Sequence, residues 1–242
     1  TGHPTVLSGL KSSLMYPLTT DPGTRWGYGP SIDWLGQMVE AIDGRRIDAF
    51  CQDEILAPLG MSDTKFEPDS LADRLADVSM RGEDGAFGPF ELAPPAQPEF
   101  YGMGHALYST APDYMRLLRM VLNRGQLDGN RVLSEDAFDT MLADQMNGLT
   151  FQTMHTIAPP VTADVELPEG TTHSFAFVRS EEDVPGKRSA GTQSWAGVCN
   201  THYWVDPAKD VAAVIMTQSL PFVEPPLLKT YDAYERAVYA AL

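Results

Sequence analysis

Apolar positions recur at helical spacing through the first half of the chain and alternate through the last third. Ile32, Leu35, Val39 and Ile42 fall at i, i+3, i+7 and i+10, which predicts a helix packed on that face. Ser31 is its N-cap and Gly44 its left-handed stop. Ile47, Phe50, Cys51, Ile55 and Leu59 predict a second helix, closed by Pro58 and Gly60. In a third, Thr110 caps, Pro112 lies in the first turn and Asp113 sits at N3; Tyr114, Leu117, Leu118, Val121 and Leu122 form its buried face. After the turn Leu127-Asp128-Gly129-Asn130, Ser134 caps a helix running towards Leu142. Between Phe66 and Phe100, Gly82, Gly85, Gly88, Pro89, Pro94, Pro95 and Pro98 interrupt any period. That interval reads as a surface meander or as the wall of a pocket.

Near Gly148 the period changes. Phe175 and Phe177 alternate with smaller residues as in a strand, and strand-like runs follow at 189–198, 201–206 and 211–217. Asp206-Pro207-Ala208-Lys209-Asp210 is a tight connection between the last two. Val211–Met216 is almost wholly apolar, as expected of a central strand buried on both faces. Leu227, Tyr231, Tyr234 and Val238 share one face of a closing helix. Helices first, strands next and one helix last predict an α+β fold. There is no internal repeat, and the chain divides into a mostly helical 1–150 and a strand-bearing 151–242.

Composition changes this picture little. A chain of 242 residues with 43% hydrophobic and 21% charged residues can bury a large core. No apolar run approaches the ~20 residues of a membrane span. The net charge of −16 disfavours nucleic acid and anionic membranes as partners. Cys51 and Cys199 have no partner at metal-ligand or redox-motif spacing and read as free thiols, with a disulfide between them left open.

The stretch richest in candidate chemistry is Pro22-Gly23-Thr24-Arg25-Trp26-Gly27-Tyr28-Gly29-Pro30-Ser31-Ile32-Asp33-Trp34-Leu35-Gly36. Asp21-Pro22-Gly23 is a turn, because Pro presets φ and Gly tolerates positive φ. Tyr28 is thereby held between a turn and a helix start, where a rigid functional group is best placed. This stretch resembles the Tyr loop of the serine β-lactamase-like hydrolases: class C β-lactamases, DD-peptidases and, most closely, family VIII carboxylesterases. The resemblance continues through Leu7-Ser8-Gly9-Leu10, Pro58-Leu59-Gly60-Met61, Leu107-Tyr108-Ser109-Thr110-Ala111 and His202-Tyr203-Trp204-Val205-Asp206-Pro207.

The resemblance implies an antiparallel sheet flanked by helices with a helical subdomain, and an acyl-enzyme mechanism on small carboxylic esters without a cofactor or metal. Tyr28 matches the family's catalytic Tyr, which takes the nucleophile's proton and returns one to the leaving alkoxide. Ser194-Trp195-Ala196-Gly197-Val198 lies where β-lactamases carry Lys-Thr-Gly and these esterases Trp-Gly-Gly. By that match Trp195, Ala196 and Gly197 line the substrate, and the Val198 N–H serves an oxyanion hole. Trp195 in place of a lysine removes an anchor for a substrate carboxylate. Pro30 stands where β-lactamases place an Asn, so that side-chain contact is lost. Both favour neutral esters over penicillins. A β-lactamase or DD-peptidase, or a non-catalytic remnant or binding module of the same fold, is the alternative.

The family's nucleophile is the Ser of Ser-x-x-Lys on a helix, where the amine shares a face with the hydroxyl. The one literal match, Ser8-Gly9-Leu10-Lys11, lies 20 residues before Tyr28, too close for the family's order, and Gly9 is poor in a helix. The nucleophile segment and first strands are therefore expected outside this chain, on the same gene product or a separate one. Five scattered histidines, His3, His105, His155, His173 and His202, form no metal pair. The resemblance implies a soluble protein of a bacterial cytoplasm or periplasm.

Overall fold

The computed structural model describes residues 2–93 and 95–242. In chain order come α1 (Ser31–Asp43), α2 (Ile47–Cys51), β1 (Ser79–Arg81), β2 (Phe87–Pro89), α3 (Ala111–Leu122), β3 (Gln126–Leu127), β4 (Asn130–Arg131), α4 (Glu135–Leu142), β5 (Thr172–His173), β6 (Val178–Arg179), β7 (Gln193–Gly197), β8 (Thr201–Asp206), β9 (Val211–Ile215), β10 (Ser219–Leu220) and α5 (Pro225–Ala240). Helices and antiparallel strands make this the expected α+β fold.

Local signals act where the sequence places them. The Thr110 hydroxyl accepts from Asp113 N–H at 3.3 Å, and the Ser134 hydroxyl from Ala137 N–H at 3.2 Å. Asp128 and Gly129, at φ 49° and 86°, make the two-residue turn between β3 and β4, which needs positive φ at both positions. α2 runs on as a π-helical turn over Gln52–Leu56. Ser31 does not cap α1: it is the first helical residue, and Pro30 occupies the cap without a side-chain bond. The 66–100 interval holds β1 and β2, joined as a hairpin, and β1 also pairs in parallel with β10. Three-residue strands carry too little alternation to be read in advance.

The principal sheet is antiparallel in the order β5-β6-β7-β8-β9. Trp195 stands opposite Tyr203, and Tyr203 opposite Val214. The face bearing Tyr203 and Val205 packs on α3, where Leu118 is fully buried and Tyr114 lies 4.8 Å from Tyr203. The other face packs on α5: Trp204 meets Tyr231 and Tyr234 at 5.9 and 5.7 Å, and His202 stacks on Tyr231 at 4.2 Å. Each such large side chain withdrawn from water contributes about 1.5–3 kcal/mol. On α5, Glu235 is fully buried and forms ion pairs with Arg188 at 2.6 Å and Lys187 at 2.8 Å, tying the helix to the chain before β7.

Three expectations are corrected. Val211–Met216, expected at the sheet centre, stands at an edge among the described residues: β9 pairs with β8, and its far edge takes no strand there. Phe175 is not in a strand; the Ser174 hydroxyl accepts from Ala176 and Phe177 N–H, folding 174–177 into the turn between β5 and β6. α1 docks through Val39 and a small, polar flank rather than through its whole apolar face. Asp33 and Gly36 are buried, and a Cβ on Gly36 would come 2.8 Å from Met103, whereas Ile32, Leu35 and Ile42 are exposed, Ile42 by 84%.

Asp206 closes β8. Its carboxylate accepts from Ser189 N–H at 2.9 Å, Tyr239 O–H at 2.8 Å, Ala208 N–H at 3.1 Å and Lys209 N–H at 3.2 Å. Burial opposes the charge, but these donors prevail and hold the carboxyl below the usual carboxylate range. Asp206→Ala is expected to cost about 2–3 kcal/mol in urea unfolding at neutral pH, because buried donors are orphaned. Since the folded pKa is depressed, the wild-type advantage is full above the unfolded value of about 3.9 and falls away as pH drops through the folded value. A pH-independent difference between the two proteins would contradict this.

Candidate active site

The loop before α1 and the end of β7 meet at one place. Thr24 N–H donates to the Asp21 carbonyl at 3.2 Å with Gly23 at φ 78°, so the predicted turn forms and delivers Trp26 and Tyr28 ahead of α1. Tyr28 is 69% exposed, and its ring lies 5.8 Å from the Trp195 ring. Desolvation by the surrounding protein, and then the Asp33 carboxylate, raise the Tyr28 pKa above the ordinary phenol value. Asp33 is itself buried in the first turn of α1, where it accepts from Gly104 N–H at 3.1 Å. With a carboxylate nearby and no cation lowering its pKa, Tyr28 is a neutral phenol at physiological pH.

Of the other candidate residues, Trp195 and Ala196 are half-buried within β7, and Gly197 is its exposed last residue. Val198 follows in the turn to β8, and its N–H makes no hydrogen bond to the described residues. Asn200 N–H closes that turn onto the Gly197 carbonyl at 2.9 Å. Asn200, at φ 59°, was not singled out by sequence reasoning. Its buried side chain donates to the Ser219 and Pro221 carbonyls at 2.8 and 3.0 Å and accepts from Val223 N–H at 3.0 Å, fixing the turn beside Val198. Asn is among the few residues that tolerate left-handed backbone, a signal legible only once the turn is known.

Ser8 and Lys11 do not share a helix face. The 3-10 turn Val6–Ser8 ends at Gly9, at φ 69°, and a separate turn starts at Lys11. The Ser8 hydroxyl accepts from Leu10 N–H at 3.3 Å. The 66–100 interval lines a cavity of about 200 Å³ with Phe66, Glu67, Phe100, Tyr101, His105 and Tyr108, which contains neither Tyr28 nor any β7 residue. His105 packs against Gly102, where a Cβ would come within 2.0 Å of its ring. Cys51 and Cys199 are free and buried, and burial, with Asp48 adding to it, pushes the Cys51 thiol up to about 11.

A second set of side chains joins Tyr28 and Trp195 that no sequence spacing signals. Trp26 lies 4.4 Å from Phe151 and 5.9 Å from His173, and His173 lies edge-on 5.6 Å from Trp195. These residues come from four separate parts of the chain and meet only in the fold.

An antiparallel sheet packed between helices, with a Tyr loop set against the strand beside its turn, defines a β-lactamase/transpeptidase-like class of protein. The chain belongs to the Beta-lactamase family, which it matches over residues 13–236. It is 30% identical over 227 residues to lovastatin esterase of Penicillium rubens, covering 87% of this chain and 55% of that protein. It is 28% identical over 252 residues to monacolin J acid methylbutanoyltransferase of Aspergillus terreus, covering 96% of this chain and 58% of that protein. The solved structure of unliganded simvastatin synthase from Aspergillus terreus shares the fold, with a TM-score of 0.79 at 24% identity over 96% of this chain and 58% of that one. The chain thus spans little more than half the length of the curated relatives it matches. No described helix is long and apolar enough to cross a membrane.

A Cβ on Gly197 would meet only Thr201 Cβ, at 3.8 Å, within 4 Å. Gly197→Ala is therefore expected to fold normally, with a thermal midpoint within about 1–2 °C of wild type. A larger loss would mean that the strand end is closed rather than open.

Proposed function

We propose that this chain supplies the proton-transfer tyrosine and the substrate-binding strand of a serine enzyme that moves an acyl group out of a carboxylic ester through an acyl-enzyme. The observation that carries the reading is the approach of Tyr28 to Trp195 beside an open strand end and an uncommitted Val198 N–H. The named esterase and acyltransferase activities of the two relatives support it.

In this reading the nucleophilic Ser and its Lys come from a Ser-x-x-Lys segment outside residues 1–242. The proton inventory supports that assignment. A neutral Tyr28 can donate a proton but cannot take one; a nearby ammonium favours the phenolate that can. The Ser hydroxyl then attacks the ester carbonyl, its proton passes to the Tyr28 oxygen, and the carbonyl oxygen becomes an oxyanion stabilised by the Val198 N–H. Collapse breaks the C–O bond, and Tyr28 returns the proton to the departing alkoxide. Water, or another alcohol, then attacks the acyl-enzyme by the same steps in reverse. Trp195 gives the groove apolar surface where a β-lactamase would hold a carboxylate, so neutral esters are the substrate class.

The open edge of β9 and the exposed apolar residues of α1 support a further segment in contact with this chain. In the full-length protein, Tyr28→Phe should lower kcat for a short-chain p-nitrophenyl ester by about 10²–10⁴-fold with little change in KM, since the hydroxyl acts in proton transfer. An unchanged kcat in a folded variant would make Tyr28 structural.

A further inference from the structure

His173 is held in one orientation. Its Nδ1–H donates to the neighbouring Ser174 carbonyl, which leaves Nε2 as the lone-pair nitrogen of the neutral ring. Burial pushes its pKa down, against the pull of that carbonyl, so the neutral ring prevails at physiological pH. Nε2 has no hydrogen-bond partner among the described residues. It is also absent from the polar atoms sealed from solvent, unlike Nε2 of His202. An imidazole with one nitrogen tied to the backbone and the other free is a built acceptor, and a free acceptor within reach of solvent invites a donor.

Its surroundings are rings. Trp195 lies 5.6 Å from His173, and Trp26 and Phe151 lie 5.9 and 6.1 Å away. All four side chains are half-exposed, and Trp195 continues directly to Tyr28. Aromatic faces of this kind hold flat apolar groups by stacking and edge contacts, and one polar atom among them fixes orientation.

We propose that this array seats an apolar ring of the ester, and that His173 Nε2 selects rings carrying a hydroxyl. The inference rests on the acyl-transfer reading for the word "ester", but the binding site stands on its own geometry. His173 is in this account a specificity-determining residue; it carries no proton in the reaction.

The test reads binding, not turnover, so loss of catalysis cannot mimic its failure. The probes are 4-methylphenol and 4-methylanisole, which present the same ring; only the first carries a donor. Titrated into the full-length protein at neutral pH and followed by NMR, the hydroxy compound should bind about 3- to 10-fold more tightly, the worth of one hydrogen bond. His173→Phe keeps a ring and loses the acceptor, so it should bind both compounds equally. His173→Ala should weaken both. In the wild-type protein the His173 Nε2 resonance should shift with the hydroxy compound and not with the methoxy one, a reading that needs no variant to fold. Equal affinities in wild type, a preference that survives His173→Phe, an unmoved Nε2 resonance, or no binding of either probe would each overturn the proposal.

Discussion

Trp204 is fully buried on the α5 side of β8, and Val205, the next residue, is fully buried on the α3 side. A strand pinned from both faces cannot slip by one residue without turning every side chain to the wrong face. That fixed register sets Tyr203 opposite Trp195, and hence fixes where β7 ends and where the turn at Val198 begins. Asp206 locks the far end of β8 through four hydrogen bonds, and Asn200 locks the near end. The open strand end at Gly197 is rigid because the strand beside it is over-determined.

The same packing leaves three needs unmet. β9 ends the sheet with an unpaired edge, α1 turns its apolar residues outward, and Tyr28 is flanked by a carboxylate without a compensating ammonium. Edge pairing, apolar cover and a positive charge are different physical demands. One further segment bringing strands and a Ser-x-x-Lys helix would meet all three, which is why the acyl-transfer reading assigns the nucleophile elsewhere.

Much of the fold was legible in the sequence because its signals are local. The caps at Thr110 and Ser134, the stop at Gly44, the turn at Asp128-Gly129 and the span of β8 depend on a few neighbouring residues and appear where they were read. Failures came where tertiary demand overrode pattern. The period of α1 marks an apolar face, yet its buried residues are Asp33 and Gly36; of the predicted four only Val39 packs on the core, and Ile32, Leu35 and Ile42 are exposed. The apolar run of β9 reads as a central strand, whereas among the described residues its far edge is unpaired; side-chain periodicity does not show which edges find partners. Glu235, fully buried, reads as surface in any pattern, because only Arg188 and Lys187, far away in sequence, make its burial tolerable. In the site, Tyr28 and the β7 residues stood out by motif, whereas His173 and the rings around it share no spacing.

The account's central claim is that residues 1–242 hold the tyrosine and the substrate strand but not the nucleophile. Fluorophosphonate labelling of the full-length protein, followed by peptide mapping, tests it most directly. The account predicts one modified serine lying outside residues 1–242, with labelling slowed by Tyr28→Phe. A label on Ser8, or on any other serine of this chain, would contradict it.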